Sequence, residues 1–203
     1  MSIGQQQGAI FELVETLRRK APAYLDLMTA ESDEEFEKAF DALLEQSVAG
    51  LERNKKNFET LDEVALSGAL ALALSIPGLS VTQEAHSNGH VDLTISADHC
   101  IPARRKLAEA KIWDGAQYHI KGLKQLLDRY TTGREGRGLL IEYVKKKNIK
   151  GLLEKLRQTM NTERPCNQTT DAIDHVLKWS FLCLLPIFHW ASTPPHEDQW
   201  QHG

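Results

Sequence analysis

The sequence predicts an α/β protein: a central mixed sheet of about four strands flanked by helices, with a helical segment at the amino terminus. Three observations predict it. Alternating apolar and polar runs flank Asn88-Gly89, a pair that tolerates the positive φ of a tight hairpin turn. Two further strand-like runs, Arg104 to Ile112 and Leu139 to Val144, are separated by a stretch of helical periodicity. Residues 8–57 carry their apolar side chains at helical spacing. The chain therefore divides into a helical segment (1–57), a sheet-bearing core (58–160) and an apolar segment with a polar tail (161–203), forming one compact domain overall. With 203 residues, 41% of them hydrophobic, one sizeable core is expected.

Taken in order, Ile10, Leu13, Val14 and Leu17 form an apolar stripe, and Pro22 breaks or restarts the chain. Ser32 with Glu35 fits a capping box ahead of Phe36, Ala39, Phe40, Leu43, Leu44 and Val48. The face opposite is acidic (Glu34, Glu35, Glu37, Asp41, Glu45) and reads as a lid, an oligomer surface or a helical cover. Thr60 opens a helix running to about Ser75, ended by Pro77-Gly78. Its run Ala69 to Leu74 is apolar on all sides, which predicts burial against the sheet.

The first strand follows from Val81. In the second, Val91, Leu93 and Ile95 share one face, and His90, Asp92 and Thr94 the other. In the third, Leu107, Glu109 and Lys111 oppose Ala108, Ala110 and Ile112. Trp113-Asp114-Gly115 is a turn. The next helix buries Ile120, Leu123, Leu127 and Tyr130, with Lys121, Lys124 and Arg129 around its flank. Thr131 to Gly138 is basic and glycine-rich but lacks the Gly-Lys-Ser/Thr of a P-loop. Lys145-Lys146-Lys147 follows the fourth strand, either as a solvated edge or facing phosphates. Ile149 to Met160 is an amphipathic helix, and Asn161 to Thr169 is linker-like. Val176 to Trp190 is apolar but too short to span a membrane. It reads as a buried helix or strand, or a subunit contact, and the tail from Ala191 as disordered.

Net charge is −4, which by itself argues against a nucleic-acid binder, but its distribution is uneven. Residues 1–100 carry 7 Lys/Arg and 17 Asp/Glu, residues 101–157 carry 15 and 6, and residues 158–203 carry 2 and 5. That asymmetry predicts a basic surface on the middle segment. Three cysteines (Cys100, Cys166, Cys183) without metal-type spacing suit a reduced, cytoplasmic setting. The polar start, Met1 to Gly8, has no apolar signal-peptide core. His86, His90 and His99 offer a zinc reading that no cysteine pair accompanies.

The chemistry concentrates around the second and third strands. Glu109 and Lys111 point the same way, roughly 6.6 Å apart along the strand, and Asp92 approaches from the neighbouring strand. Two carboxylates can hold a hard divalent cation, which prefers oxygen ligands. Such a cation acidifies water and shields the charge of a phosphodiester. A nearby ammonium orients the attacking water or stabilises developing charge.

Asp92 followed on the next strand by Glu109-Ala110-Lys111 resembles the signature of the PD-(D/E)xK, or restriction-endonuclease-like, nuclease superfamily. The resemblance spans about residues 60 to 145: a helix, a hairpin carrying the Asp, a strand carrying ExK, then a helix and another strand. Val91 stands where the family's name has proline. The resemblance implies a restriction-endonuclease-like core and hydrolysis of phosphodiester bonds, most readily in DNA, with Mg²⁺ or Mn²⁺ as cofactor. Asp92 and Glu109 would be metal ligands, the Ala110 carbonyl would add one, and Lys111 would position or activate water. Glu63, on the preceding helix, and Glu84, on the first strand, are optional further acids. Glu63 also fits a capping box with Thr60, and Glu84 an edge-strand surface residue. Lys121, Lys124 and Gln125 would meet nucleic acid. One branch of the superfamily carries Gln and Tyr four residues apart on this helix, whereas here Gln125 is followed by Arg129 and Tyr130. Restriction, repair and defence against phage are the settings implied. Partners would be DNA or RNA, with a homo-oligomer or a partner protein supplying recognition, and no membrane.

Two other readings stay open. The chain is either a nuclease fold without activity that binds nucleic acid or a protein partner, or a helical adaptor whose acidic amino-terminal segment is the working part.

Overall fold

The computed structural model of the chain describes residues 3–83, 92–130 and 137–186. It is a mixed α/β structure whose four-stranded sheet runs in the order β1 (Ser80–Gln83), β2 (Leu93–Ala97), β3 (Arg104–Ile112), β4 (Leu139–Tyr143). β1–β2 and β2–β3 are antiparallel, and β3–β4 is parallel. A parallel pair needs a crossover, and α6 (Ala116–Tyr130) supplies it.

Helices cover both faces. On one lie α2 (Pro22–Thr29), α3 (Asp33–Arg53) and α5 (Glu63–Leu74). Leu27, Phe36, Phe40, Leu43, Leu70 and Leu74 share a core there with Leu93, Ile95 and Ala108 of the sheet. On the other, α6 and α7 (Ile149–Glu163) enclose Trp113, Ile120, Leu123, Leu156 and Met160. α2 and α3 thus share the sheet's own core.

Local signals placed several elements. The capping box at Ser32 and Glu35 is formed in both directions, which satisfies amides the first turn leaves without helical partners. Pro22 occupies the first turn of α2, after α1 (Ile3–Lys20) has ended, where its missing N–H costs nothing. β3 covers the expected run, and β4 ends at Tyr143, one residue short.

Other expectations are corrected. The stripe on α1 is uncovered: Ile10, Leu13 and Leu17 are exposed. α5 is buried along one face only, with Leu72 80% exposed. α5 also starts at Glu63, and its cap is Asp62, which accepts from Ala65 N at 2.8 Å. Asp62 takes the capping role assigned to Thr60 with Glu63 and leaves Glu63 available elsewhere. The acidic side of α3 is not all solvated, since Asp41 is buried and bound to Arg137 and His175. α7 runs on to Glu163, and Pro165–Asn167 forms a 3₁₀ turn where a linker was expected. Val176 is exposed, but the apolar segment packs Leu177 against one core and Phe181, Cys183 and Leu185 against the other, and its strand content among the described residues is a two-residue pairing, Ile173–Asp174 with Phe181–Leu182. The Asn88-Gly89 turn, the loop 131–136 and the tail from Ala191 lie outside the described residues. No helix among those described is long and apolar enough to cross a membrane.

Candidate functional site

β3 is longer than its antiparallel neighbour. The β2 ladder ends at the Leu93–Ala108 pair, so among the described residues the far end of β3 has no strand on that side. Its amides there are claimed by carboxylates instead. Asp92, immediately before β2, accepts from Ala110 N at 2.7 Å, and Glu63, the first residue of α5, accepts from Ile112 N at 2.8 Å. Asp92 therefore sits at the strand's entry rather than on its face, because its side chain takes the amide that a longer β2 would have paired. In a strand the N–H and C=O of one residue point the same way, so the Ala110 carbonyl faces the Asp92 side as well.

Glu109 and Lys111 project from β3 on the face covered by α6. Their side chains meet: Lys111 Nζ lies 2.6 Å from Glu109 Oε1, 3.6 Å from Glu63 Oε1 and 3.7 Å from Asp92 Oδ2. Three carboxylates from three separate parts of the chain thus converge on one ammonium. Glu109 is 3% exposed and Lys111 8%, while the Asp92 and Glu63 side chains remain partly open. Gly122 of α6 leaves space for the Lys111 stem, since a Cβ there would come within 3.3 Å of Lys111 Cγ.

The electrostatics follow from burial and mutual proximity. Burial pushes the Glu109 carboxyl above its ordinary value, against the hydrogen bond from Lys111, and the neighbouring Asp92 and Glu63 push it the same way. Burial works against the Lys111 ammonium, but the hydrogen bond to Glu109 and the charges of Glu109, Asp92 and Glu63 outweigh it and hold Lys111 above its usual range. Tyr143, at the end of β4, is pushed up to about 12 by burial; its hydroxyl lies 3.3 Å from Ser67 Oγ.

The donor set suits a hard cation, being all oxygen. Glu109 Oε2 is buried with no hydrogen-bond partner among the described residues, an oxygen that a cation would satisfy. Among those residues no three His, Cys, Asp or Glu side chains already stand at metal-holding spacing, and Lys111 Nζ takes the middle of the cluster. The residues fit a cation bound by Asp92, Glu109 and Glu63, with the Ala110 carbonyl alongside, once the ammonium moves aside.

Other expected residues fare differently. Glu84, His86 and His90 lie outside the described residues, and His99 Nε2 lies 3.1 Å from the Leu27 carbonyl. Lys121 and Lys124 are exposed and Gln125 half-buried; since Ile120, Leu123 and Leu126 face the core, the two lysines lie on the outer side of α6. Several cations of residues 101–157 are held in ion pairs, while Arg105, Lys121, Lys124, Lys145, Lys146 and Lys147 are exposed. Arg104 pairs with Asp33, the buried Lys106 with Glu37, Arg137 with Asp41 and Arg157 with Asp174.

Sequence reasoning missed one buried pair beside the cluster. His119 Nδ1 lies 2.9 Å from Glu142 Oε1, and Glu142 is the register partner of Lys111. Glu142 stands two residues after Leu140 in a strand otherwise apolar up to Tyr143, which is the one signal that could have found it.

No family model, no curated protein and no solved structure matches this chain.

Proposed function

We propose that the chain is a metal-dependent nuclease hydrolysing phosphodiester bonds, most readily in DNA, built on a restriction-endonuclease-like core. The observation that carries this reading is the convergence of Asp92, Glu109 and Glu63 on Lys111 at the carboxy-terminal end of β3. Buried like charges are costly to bring together, and a fold does not need three carboxylates around one ammonium to close a sheet. The order of elements around the cluster also supports the reading: a helix bearing Glu63, Asp92 at the head of β2, Glu109 and Lys111 on β3, then α6 and β4.

Asp92, Glu109 and Glu63 would hold Mg²⁺ or Mn²⁺, and the cation would supply charge neutralisation and acidify water. Glu109 keeps one oxygen on Lys111 and has the other to offer. Lys111, released from the carboxylates, would aim its ammonium at water or at the charge developing on the phosphate. The two backbone hydrogen bonds fix Asp92 and Glu63 before any ligand arrives, which is the preorganisation that electrostatic catalysis requires. Lys121, Lys124 and Gln125 would contact the strand if it continues along the outer side of α6.

Cleavage of plasmid and linear DNA tests the proposal. Mg²⁺ or Mn²⁺ should support cleavage, Ca²⁺ should not, and Lys111→Ala should abolish it. Undiminished activity in excess chelator, or a Lys111→Ala variant that cleaves like the parent, would remove the basis for it.

A further inference from the structure

The cluster sets three carboxylates against one ammonium, a surplus of two negative charges that a divalent cation only neutralises, so the cluster itself offers a phosphodiester strand no net positive charge. Attraction for the strand has to come from residues nearby, and Arg104, Lys106, Arg137 and Arg157 of the basic segment are engaged in ion pairs elsewhere. Arg105 is exposed but stands at the opposite, amino-terminal end of β3.

The run Lys145-Lys146-Lys147 is placed differently. β3 and β4 are parallel with Ile112 opposite Tyr143, and Trp113 N donates to the Tyr143 carbonyl. The lysines leave β4 just beyond that point, at the same end of the sheet as Lys111. Lys145 donates to the Leu61 carbonyl, two residues before Glu63. Lys146 and Lys147 are exposed and have no ion-pair partner among the described residues. The chain then enters α7 through Asn148, whose side chain caps Gly151 N, and no acid occupies the first turn of that helix, so the local field stays positive.

From this placement we infer that Lys146 and Lys147 are phosphate contacts for the DNA strand held at the carboxylate cluster, with Lys145 pinning their loop to the start of α5. The inference rests on reading that cluster as a phosphodiester site. It assigns the DNA backbone, rather than base edges, as what these residues touch, since an ammonium on a flexible stem meets phosphate as a point charge and carries no base preference.

Binding rather than cleavage tests it. The affinity of a fluorescent DNA duplex is followed by anisotropy across a salt series in chelator, for the parent, K146Q/K147Q and R105Q. Loss of two phosphate contacts should flatten the dependence of log affinity on log salt by about two units, and R105Q should keep the parent slope. Both lysines are exposed, and Lys145 with its bond to Leu61 is retained, so the fold is not at issue. An unchanged slope in K146Q/K147Q, a R105Q slope reduced as much, or a parent that binds no duplex would each overturn the inference. Because chelator removes any need for turnover, a flattened slope in a chain that never cleaves would keep these contacts and discard the hydrolytic reading.

Discussion

Asp92 carries two duties that a substitution can separate. Its carboxylate satisfies the Ala110 amide at 2.7 Å and contributes to the cluster around Lys111. An asparagine keeps an oxygen for the amide but loses the charge. An alanine loses both and leaves a strand amide without its partner, which costs about 1–3 kcal/mol where water cannot reach it. Asp92→Asn should therefore melt close to the parent and Asp92→Ala measurably lower, while neither cleaves DNA. Urea denaturation beside a cleavage assay reads both; equal stability of the two variants would mean that water satisfies the amide equally well. The alternation of β3 made the shared face of Glu109 and Lys111 legible in the sequence, because strand periodicity is local. The position of Asp92 was legible only in part. That β2 stops at Leu93 depends on a side chain outcompeting a strand for one amide, which no pattern along β2 records.

At the scale of elements, α3 is tied down rather than poised to move. Glu37 and Asp41 reach the buried Lys106 of β3 and Arg137 at the approach to β4, and His175 joins from the carboxy-terminal segment at 3.0 Å from Asp41. Lys106 is 1% exposed and lies over the rings of Phe36 and Phe40, so the ion cluster stands within the hydrophobic layer. Removing one partner of a buried pair leaves the others uncompensated, at about 3–5 kcal/mol. Asp41→Ala should lose stability on that scale, measured by urea denaturation. A loss below about 1 kcal/mol, the range of surface pairs, would return α3 to the status of a loose cover. The sequence displayed the capping box and the apolar face of α3 because both are set by neighbours three and four residues away. It could not display that Glu37 and Asp41 turn inward, since their partners are 69 and 96 residues distant along the chain. For the same reason composition could not tell the buried Lys106 from the exposed Lys121 and Lys124 within residues 101–157: it counts charges and does not say which are spent in the interior.

The whole molecule brings Glu63, Asp92 and the Glu109–Lys111 pair together from separate elements, and α2 and α3 of the helical amino-terminal segment share the core that holds β2 and β3 in register. The central claim is that this assembly is a cation site whose middle is taken by Lys111, and it makes an unusual demand: removing a positive residue should improve a metal site. Calorimetric titration of Mn²⁺ into the parent, Asp92→Asn and Lys111→Ala tests it most directly. The account predicts binding by the parent, weaker or no binding by Asp92→Asn, and binding at least as tight by Lys111→Ala, because the ammonium no longer competes for the three carboxylates. Mn²⁺ binding that is indifferent to Asp92→Asn, or that is lost in Lys111→Ala, would contradict it.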